Sequence, residues 1–298
     1  MRDIFFDEKF IRFFKLSKIE TESFLYPFLL FEYKGYKSIS SLGYQGVIVK
    51  KDYSKNELED FYKKLELFRK ENGIITEFIR YNPFLKNLLE FPEKKVSSTF
   101  FIVDVEKDPK DYFDKLPSRT RYSIKKAQET LRVEINRDVG ILKGSLNYKN
   151  EFFYDEKSLK NLLNTPFTIK LSAFLDGKEV GASLFFYSKE TSYYIANFSN
   201  DEGKKSGANT LLIYEFYRYC YDSKIKFLGL GGGFRTDDSL SFFKSQFSTR
   251  KKEIYHSKLI LDRKVYDYLS KNINENYFPP YLKDVNLLKL SNTCGESD

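Results

Sequence analysis

Residues 226–247, KFLGLGGGFRTDDSLSFFKSQF, carry the most informative pattern in this chain of 298 residues. The apolar residues at the start of the stretch predict a short buried strand, which runs directly into three consecutive glycines. Glycine can adopt positive φ and lets a ligand approach the bare backbone, which a β-carbon would block. The three glycines are Gly231, Gly232 and Gly233.

A short helix is predicted directly after these glycines. Asp238 and its neighbours supply N-cap chemistry for the helix, and Lys244 lies between aromatic residues within it. In open α/β folds, ligands bind beyond the carboxyl ends of the strands, so the stretch is a candidate functional site. The alternative interpretation is a glycine-rich loop beside a solvated lysine.

The composition indicates a folded protein with a basic surface. A chain of this length suits one large domain or two of ordinary size, and its aromatic content of 18% excludes general disorder. The formal net charge of +8 favours anionic partners such as nucleotides, coenzyme phosphates, acidic glycans or nucleic acid. A lysine-rich surface that only keeps the protein soluble would give the same charge.

Histidine and cysteine are too scarce for several kinds of site. One histidine and two cysteines do not support a His/Cys zinc site, and no metal is predicted. His256 follows Tyr255 in a strand-like run, so we expect a structural role for it rather than a place in a catalytic triad. Cys220 falls in an apolar helix and Cys294 in a polar tail, and both are expected to be reduced thiols.

The sequence shows no signal peptide and no transmembrane segment, and a cytoplasmic location is expected. The most apolar run, residues 24–31, is far too short to span a bilayer. A peripheral location close to a membrane stays open.

The order of predicted elements indicates an α/β fold with mixed sheets. Two strands between residues 22 and 49, separated by a turn at Lys34–Gly35, precede a helix capped by Ser54 and a strand over Ile74–Arg80. Later in the chain, an antiparallel meander over residues 168–198 precedes a helix and the strand of the glycine stretch.

The repetition of this order suggests two similar halves. We expect an N-terminal half over residues 1–150 and a C-terminal half over residues 151–290. The weakly patterned residues 137–150 would link them, and residues 291–298 would form a disordered tail.

The helix that opens at Ser118 carries a cluster of cations. Four basic residues fall within about two turns, which favours a phosphate-bearing partner. They are Arg119, Arg121, Lys125 and Lys126. A basic helix face is also typical of a solvated surface.

A polar, glycine-containing loop over residues 200–209 is predicted to open the next helix. Glycines, lysines and free amides at a helix N-terminus favour anion binding, and this loop is a candidate cofactor site. Its candidate residues are Lys204, Lys205, Gly207, Ala208 and Asn209. The loop is not a P-loop, because no Gly-Lys-Ser/Thr closes it, and the alternative is a capped surface turn.

Several segments in this order resemble motifs of the Fem-like branch of the GNAT acyltransferase superfamily, the aminoacyl and acyl transferases with two fused GNAT-like halves. LGYQG at residues 42–46 is similar to the family's Tyr-Gly-Tyr-Gly-Gly turn, and FIRYNP at residues 78–83 to its Arg-x-His-Pro segment. SRTRYSIKKA at residues 118–127 resembles the basic helix, and GAN at residues 207–209 the helix after the donor loop. The best match is LGGG…DSL…FK…F at residues 230–247.

The resemblance implies two fused GNAT-like subdomains, with the acceptor on the N-terminal side and the acyl donor on the C-terminal side. Lys244 would serve the donor or the transition state, while glycines 231–233 and residues 207–209 would hold donor phosphates. Asp238 is a candidate base by position, although N-capping explains it more simply. The expected acceptor-binding residues are Tyr44, Arg80, Arg121 and Lys125.

The expected activity is transfer of an acyl group from acyl-CoA, with acetyl-CoA as the first choice, to an amine. The acceptor would be an amino sugar, a nucleotide sugar or a cell-envelope precursor. The pyrophosphate signature of acetyl-CoA enzymes is matched only loosely, at Lys204, Gly207 and Asn209. The first alternative is therefore an aminoacyl-tRNA donor and a peptidoglycan precursor, and the second a non-catalytic module that binds RNA or a glycan.

Overall fold

The computed structural model describes residues 3–148, 150–232, 238–273 and 277–291. The chain forms two compact units. The central unit consists of Met1–Ile4 and Ser98–Glu253, and the flanking unit consists of Phe5–Ser97 and Ile254–Asp298.

Helices alternate with strands along both units. In chain order, the elements are α1 (Glu8–Phe13), β1 (Ser17–Glu20), β2 (Phe24–Tyr33), β3 (Tyr36–Ser40), β4 (Val47–Val49), α2 (Lys55–Glu71), β5 (Ile74–Arg80), β6 (Leu88–Leu89), β7 (Lys95–Asp104), α3 (Pro109–Lys115), α4 (Ser118–Thr130), β8 (Arg132–Asn136), α5 (Glu156–Leu163), β9 (Thr168–Leu175), β10 (Lys178–Tyr187), β11 (Thr191–Ser199), α6 (Asp201–Ser206), α7 (Ala208–Asp222), β12 (Phe227–Gly231), α8 (Ser239–Ser245), β13 (Arg250–Ile260), α9 (Arg263–Leu269) and α10 (Leu287–Ser291). The mixture of helices with parallel and antiparallel strands confirms the predicted α/β class. Of the predicted disordered tail, Ser291 ends α10, and residues 292–298 lie outside the described residues.

The flanking unit is built on strands in the order β6-β4-β2-β3-β5-β13, with β1 paired to β2. Lys34 and Gly35 both adopt positive φ and turn the chain between antiparallel β2 and β3, as predicted. The chain then returns through α2, so that β5 runs parallel to β3. A capping box between Ser54 and Glu57 starts α2 and confirms the predicted helix start.

The central unit is built on strands in the order β7-β12-β11-β10-β9-β8. Strands β9, β10 and β11 form the predicted antiparallel meander, and α7 crosses over to place β12 parallel to β11. The start of the chain belongs to this unit because the Asp3 carboxylate accepts hydrogen bonds from two β11 side chains. These bonds come from Thr191 Oγ1 at 2.9 Å and from the Tyr193 hydroxyl at 2.5 Å.

The two units do not divide at residue 150, the predicted boundary. Residues of β7, α3 and α4 share one hydrophobic core with β9, β10, α7 and β12, so the segment from residue 98 onward belongs with them. The expected linker also packs into the central unit, as a 3₁₀ segment over Gly140–Asn147. Its Leu142 is fully buried, and the amide of Ile141 donates to Glu179 Oε2 at 2.6 Å.

The prediction of a loop over residues 200–209 was wrong, because residues 201–206 form helix α6. Asn200 caps this helix by accepting the Gly203 amide at 2.8 Å, and Gly207 ends it with φ 78°. A β-carbon on Gly207 would lie 2.9 Å from Ser123 Oγ of α4. The left-handed backbone and the close approach of α4 both explain why a glycine stands here.

We expect Gly207→Ala to destabilise the protein more than Gly177→Ala. Both glycines have φ 78°, so both changes should incur the left-handed penalty of about 1–2 kcal/mol. A β-carbon at Gly177 meets nothing within 4 Å, whereas at Gly207 it must also displace Ser123. Urea unfolding of the two variants measures the difference, and equal losses would show that α4 does not press on Gly207.

Candidate active site

The parallel strands β11 and β12 separate partway along their length. Their pairing covers Thr191, Ser192 and Tyr193 on β11, opposite residues 227–229 on β12, and goes no further among the described residues. Strand β11 nevertheless continues to Ser199, held by β10 on its other side. The two carboxyl ends therefore diverge, which is the place where open α/β sheets bind ligands.

Gly231 and Gly232 lie at the end of β12, as the sequence predicted. Gly231 has φ 76°, and the register between β12 and β7 shifts there. A β-carbon on Gly232 would lie 2.7 Å from the carbonyl oxygen of Thr99, so only glycine fits against this backbone. Gly233 lies outside the described residues.

Lys244 reaches back from α8 to this glycine turn. Asp238 starts the helix by accepting the Ser241 amide at 2.7 Å, which confirms its predicted N-cap role. The Lys244 side chain is only 7% exposed, and its Nζ donates to the carbonyl of Gly232 at 2.6 Å. Burial lowers the pKa of Lys244 to about 8, although the nearby Asp238 carboxylate opposes the change.

This geometry leaves hydrogen-bonding capacity on the Lys244 ammonium. An ammonium has three donors, and within the described part of the chain the bond to Gly232 is its single hydrogen bond. Lys244 can therefore place a positive charge and further N–H groups against an oxygen of a bound molecule.

A cavity of about 270 Å³ lies between α4, the first turn of α7 and α8. It combines hydroxyl groups, one cation and aromatic rings, which suits the mixed polar and apolar character of an organic ligand. The lining residues are Arg119, Thr120, Ser123, Thr210, Phe242, Phe243, Gln246 and Phe247. Arg119 was predicted only as a member of the basic cluster, and the hydroxyl residues were not predicted.

The structure does not assemble residues 204–209 into an open anion-binding loop. The amides of Gly203, Lys204 and Gly207 are used inside and around α6, where they donate to Asn200 and to the Lys204 carbonyl. The Lys204 ammonium lies 3.5 Å from Asp201 on the surface, and Lys205 is exposed.

The two remaining candidate residues of the predicted loop lie at the start of α7, where Asn209 is half-buried. Ala208 is fully buried at the start of α7. The Asn209 side chain accepts a hydrogen bond from the Ser199 hydroxyl, so it connects α7 to the end of β11.

Tyr44 and Arg80, two predicted acceptor residues, are brought together in the flanking unit. The Arg80 guanidinium lies 5.7 Å from the centre of the Tyr44 ring and the same distance from Phe78. Asn82 fixes the Tyr44 turn by donating to its carbonyl oxygen at 3.1 Å. A cation beside aromatic rings can bind an anionic group attached to a ring-shaped or apolar moiety.

Arg121 and Lys125 lie in the central unit, whereas Tyr44 and Arg80 lie in the flanking unit. Arg121 donates to the carbonyls of Asp114 and Leu116, at 3.0 Å and 2.6 Å, and so caps the end of α3. The ammonium of exposed Lys125 lies 5.7 Å from the Phe113 ring centre. The structure thus gives Arg121 a role in joining α3 to α4.

The residues that the structure describes form neither a metal-binding cluster nor a membrane-spanning helix. No group of three or more histidine, cysteine, aspartate or glutamate side chains there is arranged to hold a metal ion. No helix in the same part of the chain is both long and apolar enough to cross a bilayer. Cys220 is buried in the core, and burial raises the pKa of its thiol to about 12.

Comparison with known proteins relates the chain to solved structures rather than to known sequences. No family profile and no curated protein sequence matches it. The crystal structure of FemX superposes with a TM-score of 0.66 at 12% identity, covering 89% of this chain and 94% of FemX. The C-terminal domain of a protein described as a lysylphosphatidylglycerol synthetase, from Agrobacterium fabrum, gives 0.59 at 13% identity, covering 86% and 87%.

A third similar structure is a conserved protein of unknown function from Bacteroides thetaiotaomicron. Its TM-score is 0.56 at 12% identity, covering 84% of this chain and 89% of that protein. At such identities a likeness establishes the fold and leaves the chemistry to the site. The chain therefore shares the fold of FemX, as its sequence motifs predicted.

Proposed function

We propose that this protein is an acyl-group transferase, which moves an aminoacyl or other acyl group from an activated donor to an amine. The observation that carries the proposal is the buried ammonium of Lys244, held at the point where β11 and β12 diverge. Burying a lysine with little compensation is unfavourable for folding, and such groups are concentrated at functional sites.

The chemistry of acyl transfer fits a cation in this position. When an amine attacks the carbonyl carbon of an ester or thioester, the carbonyl oxygen becomes an oxyanion. The bond from that carbon to the leaving oxygen or sulfur then breaks, the attacking nitrogen loses a proton to water, and the leaving oxygen or sulfur takes up a proton. Lys244 would stabilise the oxyanion with its charge and free N–H groups. With a pKa of about 8 it is largely protonated at neutral pH, yet it gives up a proton to a leaving group more readily than an ordinary lysine.

Asp238 supports this role from the start of α8. Its carboxylate is engaged by the Ser241 amide, and its negative charge favours the protonated form of Lys244. We propose that Asp238 keeps Lys244 charged and that it does not remove the acceptor proton itself.

An aminoacyl ester is the donor that the structure favours. Of the amides in the predicted loop, those of Gly203, Lys204 and Gly207 are already used within and around α6, as described above. One structural neighbour is also described as the C-terminal domain of a lysylphosphatidylglycerol synthetase. An aminoacyl ester does not need a pyrophosphate site, so these features fit it better than they fit acyl-CoA.

Acyl-CoA remains a second candidate because of the cavity beside α7. Helix α7 has no side-chain cap, so its first amides are available to an anion near Thr210. Arg119 lines the same cavity and could pair with a phosphate. In this case the donor phosphates would lie between α4 and α7 rather than over residues 204–207.

We propose that the acceptor amine belongs to a sugar, a nucleotide sugar or a cell-envelope precursor. The supporting observation is the Tyr44–Arg80 pair, in which a guanidinium lies over an aromatic ring. Such a pair binds an anionic group and packs against the apolar face of a neighbouring ring.

A melting experiment distinguishes the two donors. We expect a hydrolysis-resistant aminoacyl-adenosine to raise the melting temperature of the full chain more than acetyl-CoA does. A ligand at a hundred times its dissociation constant stabilises the folded state by about 2.7 kcal/mol. The aminoacyl-adenosine carries no phosphate, so its shift should persist in both Arg119→Ala and Lys204→Ala, whereas an acetyl-CoA shift that disappears in Arg119→Ala would indicate coenzyme phosphates beside α7.

The opposite pattern would reassign the donor. A shift with acetyl-CoA that is lost in Lys204→Ala would show that residues 204–209 bind the coenzyme after all. If neither donor shifts the melting temperature while generic RNA binds with a steep salt dependence, the protein is a binding module instead.

A further inference from the structure

One face of the strand pair β5–β13 in the flanking unit gathers cations around the single histidine of the chain. Antiparallel pairing places His256 opposite Arg80 and Lys258 opposite Phe78. Because alternate residues of a strand share a face, these four side chains project from the same side of the sheet. All four are half-buried, so the face is partly open to solvent. We call it the β5–β13 face.

Aromatic rings form part of this face and border it. The Phe78 ring centre lies 5.9 Å from that of His256 and 6.3 Å from that of Phe278. The Lys258 ammonium lies 5.7 Å from the centre of the Phe278 ring. Cations are thus held beside flat apolar surfaces.

The positively charged groups of the face repel one another. Burial lowers the pKa of His256, and the cations Lys258 on β13, Arg80 on β5 and Lys95 on β7 lower it further. Burial also lowers the pKa of Lys258, and Lys95 adds to the effect. Within the described residues, Nδ1 of His256 is buried without a hydrogen-bond partner. A charged imidazole is therefore disfavoured until a negative charge arrives.

We propose that the β5–β13 face, together with Lys95, is a binding site for a phosphoryl group. A phosphoryl group carries close to two negative charges and three acceptor oxygens, which can meet several cations at once. Lys95 is exposed and Lys258 half-buried, so both can reach a ligand from solvent. The Phe78 and Phe278 rings would pack against the organic part of a phosphorylated molecule.

This inference adds a phosphoryl site to the proposed transfer reaction, and it rests on that proposed function only in that Arg80 also belongs to the proposed acceptor pair. His256, Lys258 and Lys95 lie outside the sequence motifs that resemble the Fem-like family. The site is expected to bind inorganic pyrophosphate whether or not the protein transfers an acyl group, so the two proposals can fail independently.

The single histidine makes a direct test possible. The imidazole signals in an NMR spectrum of the full chain come from His256 alone, so they can be followed during pH titrations with and without inorganic pyrophosphate. We expect pyrophosphate to raise the pKa of His256, because a bound anion stabilises the imidazolium. Acetate at the same ionic strength should have a much smaller effect, since it carries one charge.

Three variants with the same charge change locate the site. Lys258→Gln and Lys95→Gln should each weaken pyrophosphate binding roughly tenfold, the usual effect of losing one charge-assisted hydrogen bond. Lys64→Gln, on the exposed side of α2, should leave it unchanged. Because Lys95 is exposed, its variant is expected to fold even if the Lys258 variant does not.

Three results would overturn the proposal. The first is a His256 titration that pyrophosphate leaves unmoved. The second is an equal loss of binding in Lys64→Gln, which would indicate attraction to the net charge of the protein. The third is an acetate effect as large as that of pyrophosphate, which would show that the face does not select phosphoryl groups.

Discussion

Replacing Lys244 with methionine should lower turnover about a hundredfold and, at neutral pH, make the folded protein more stable. The loss of turnover follows from the loss of a donor to the oxyanion, an interaction worth about 3 kcal/mol of barrier. The gain in stability follows from removing a buried charge, because methionine has a similar length and no ammonium to desolvate.

The pH dependence of the stability gain can be worked out from the pKa of Lys244. Its pKa is about 8 in the folded protein and 10.5 in an unperturbed lysine, so between these values the unfolded chain binds more protons. Stability of the parent protein should therefore rise with pH from about 8 to 10.5. Below pH 8 the full penalty of about 3 kcal/mol applies, and there Lys244→Met should show its largest advantage.

Urea unfolding of the parent and of Lys244→Met at several pH values measures this difference. Lys189 lies in the exposed turn between β10 and β11. Lys189→Met therefore removes the same charge from the surface rather than from the interior, and it should show no comparable gain in stability. Normal turnover in Lys244→Met would exclude the proposed role. A stability difference that is constant from pH 7 to pH 10.5 would show that Lys244 is not buried as a charge.

Replacing Arg69 with methionine should destabilise the flanking unit by about 3–5 kcal/mol. Arg69 on α2 donates to Glu77 on β5 from Nε at 2.8 Å, and the Tyr26 hydroxyl on β2 donates to the same carboxyl at 2.6 Å. Glu77 is fully buried, so removing Arg69 leaves a carboxylate without its cation inside the core. Burial already raises the pKa of Glu77, and Arg69 and Tyr26 both oppose that increase.

A matched variant and a combined variant separate pairing from packing in this network. Glu66 pairs with Arg69 at the surface, where its side chain is 66% exposed, and Glu66→Gln should change the unfolding free energy by less than about 1 kcal/mol. Arg69→Met combined with Glu77→Leu and Tyr26→Phe removes the buried polar groups of the network together and should recover most of the loss. If Arg69→Met is no worse than Glu66→Gln, the buried pair does not hold the unit together.

Local sequence chemistry predicted much of the fold. The Ser54 capping box, the Asp238 N-cap and the turn at Gly35 depend on neighbouring residues alone, and the structure confirms all three. Strands β1 and β8 were missed because their sequences, SKIE and RVEIN, carry charged residues and lack a continuous apolar run. Helix α6 was missed because Asn200 and Gly207, its two caps, are also typical loop residues.

The residue types of the candidate site could be predicted from the sequence, but their burial and the cavity beside them could not. The chemistry of Lys244 and of the glycines follows from residue types and order, but burial of Lys244 depends on how α8 packs on the end of β12. The cavity beside Arg119 and Thr210 needs residues from three helices, and no local pattern relates them. The division into units depends in the same way on contacts between residues far apart in sequence.

The discontinuous flanking unit also has a consequence for synthesis on the ribosome. All strands of the central unit's sheet have been made once residue 253 is added, so that unit can fold while the rest of the chain is still being translated. Strand β5 cannot complete its pairing at that stage, because residues Ile254–Ile260 of its partner β13 are synthesised only afterwards. Until then the nascent chain exposes an unpaired strand edge, and this edge is where chaperone contact or aggregation should begin.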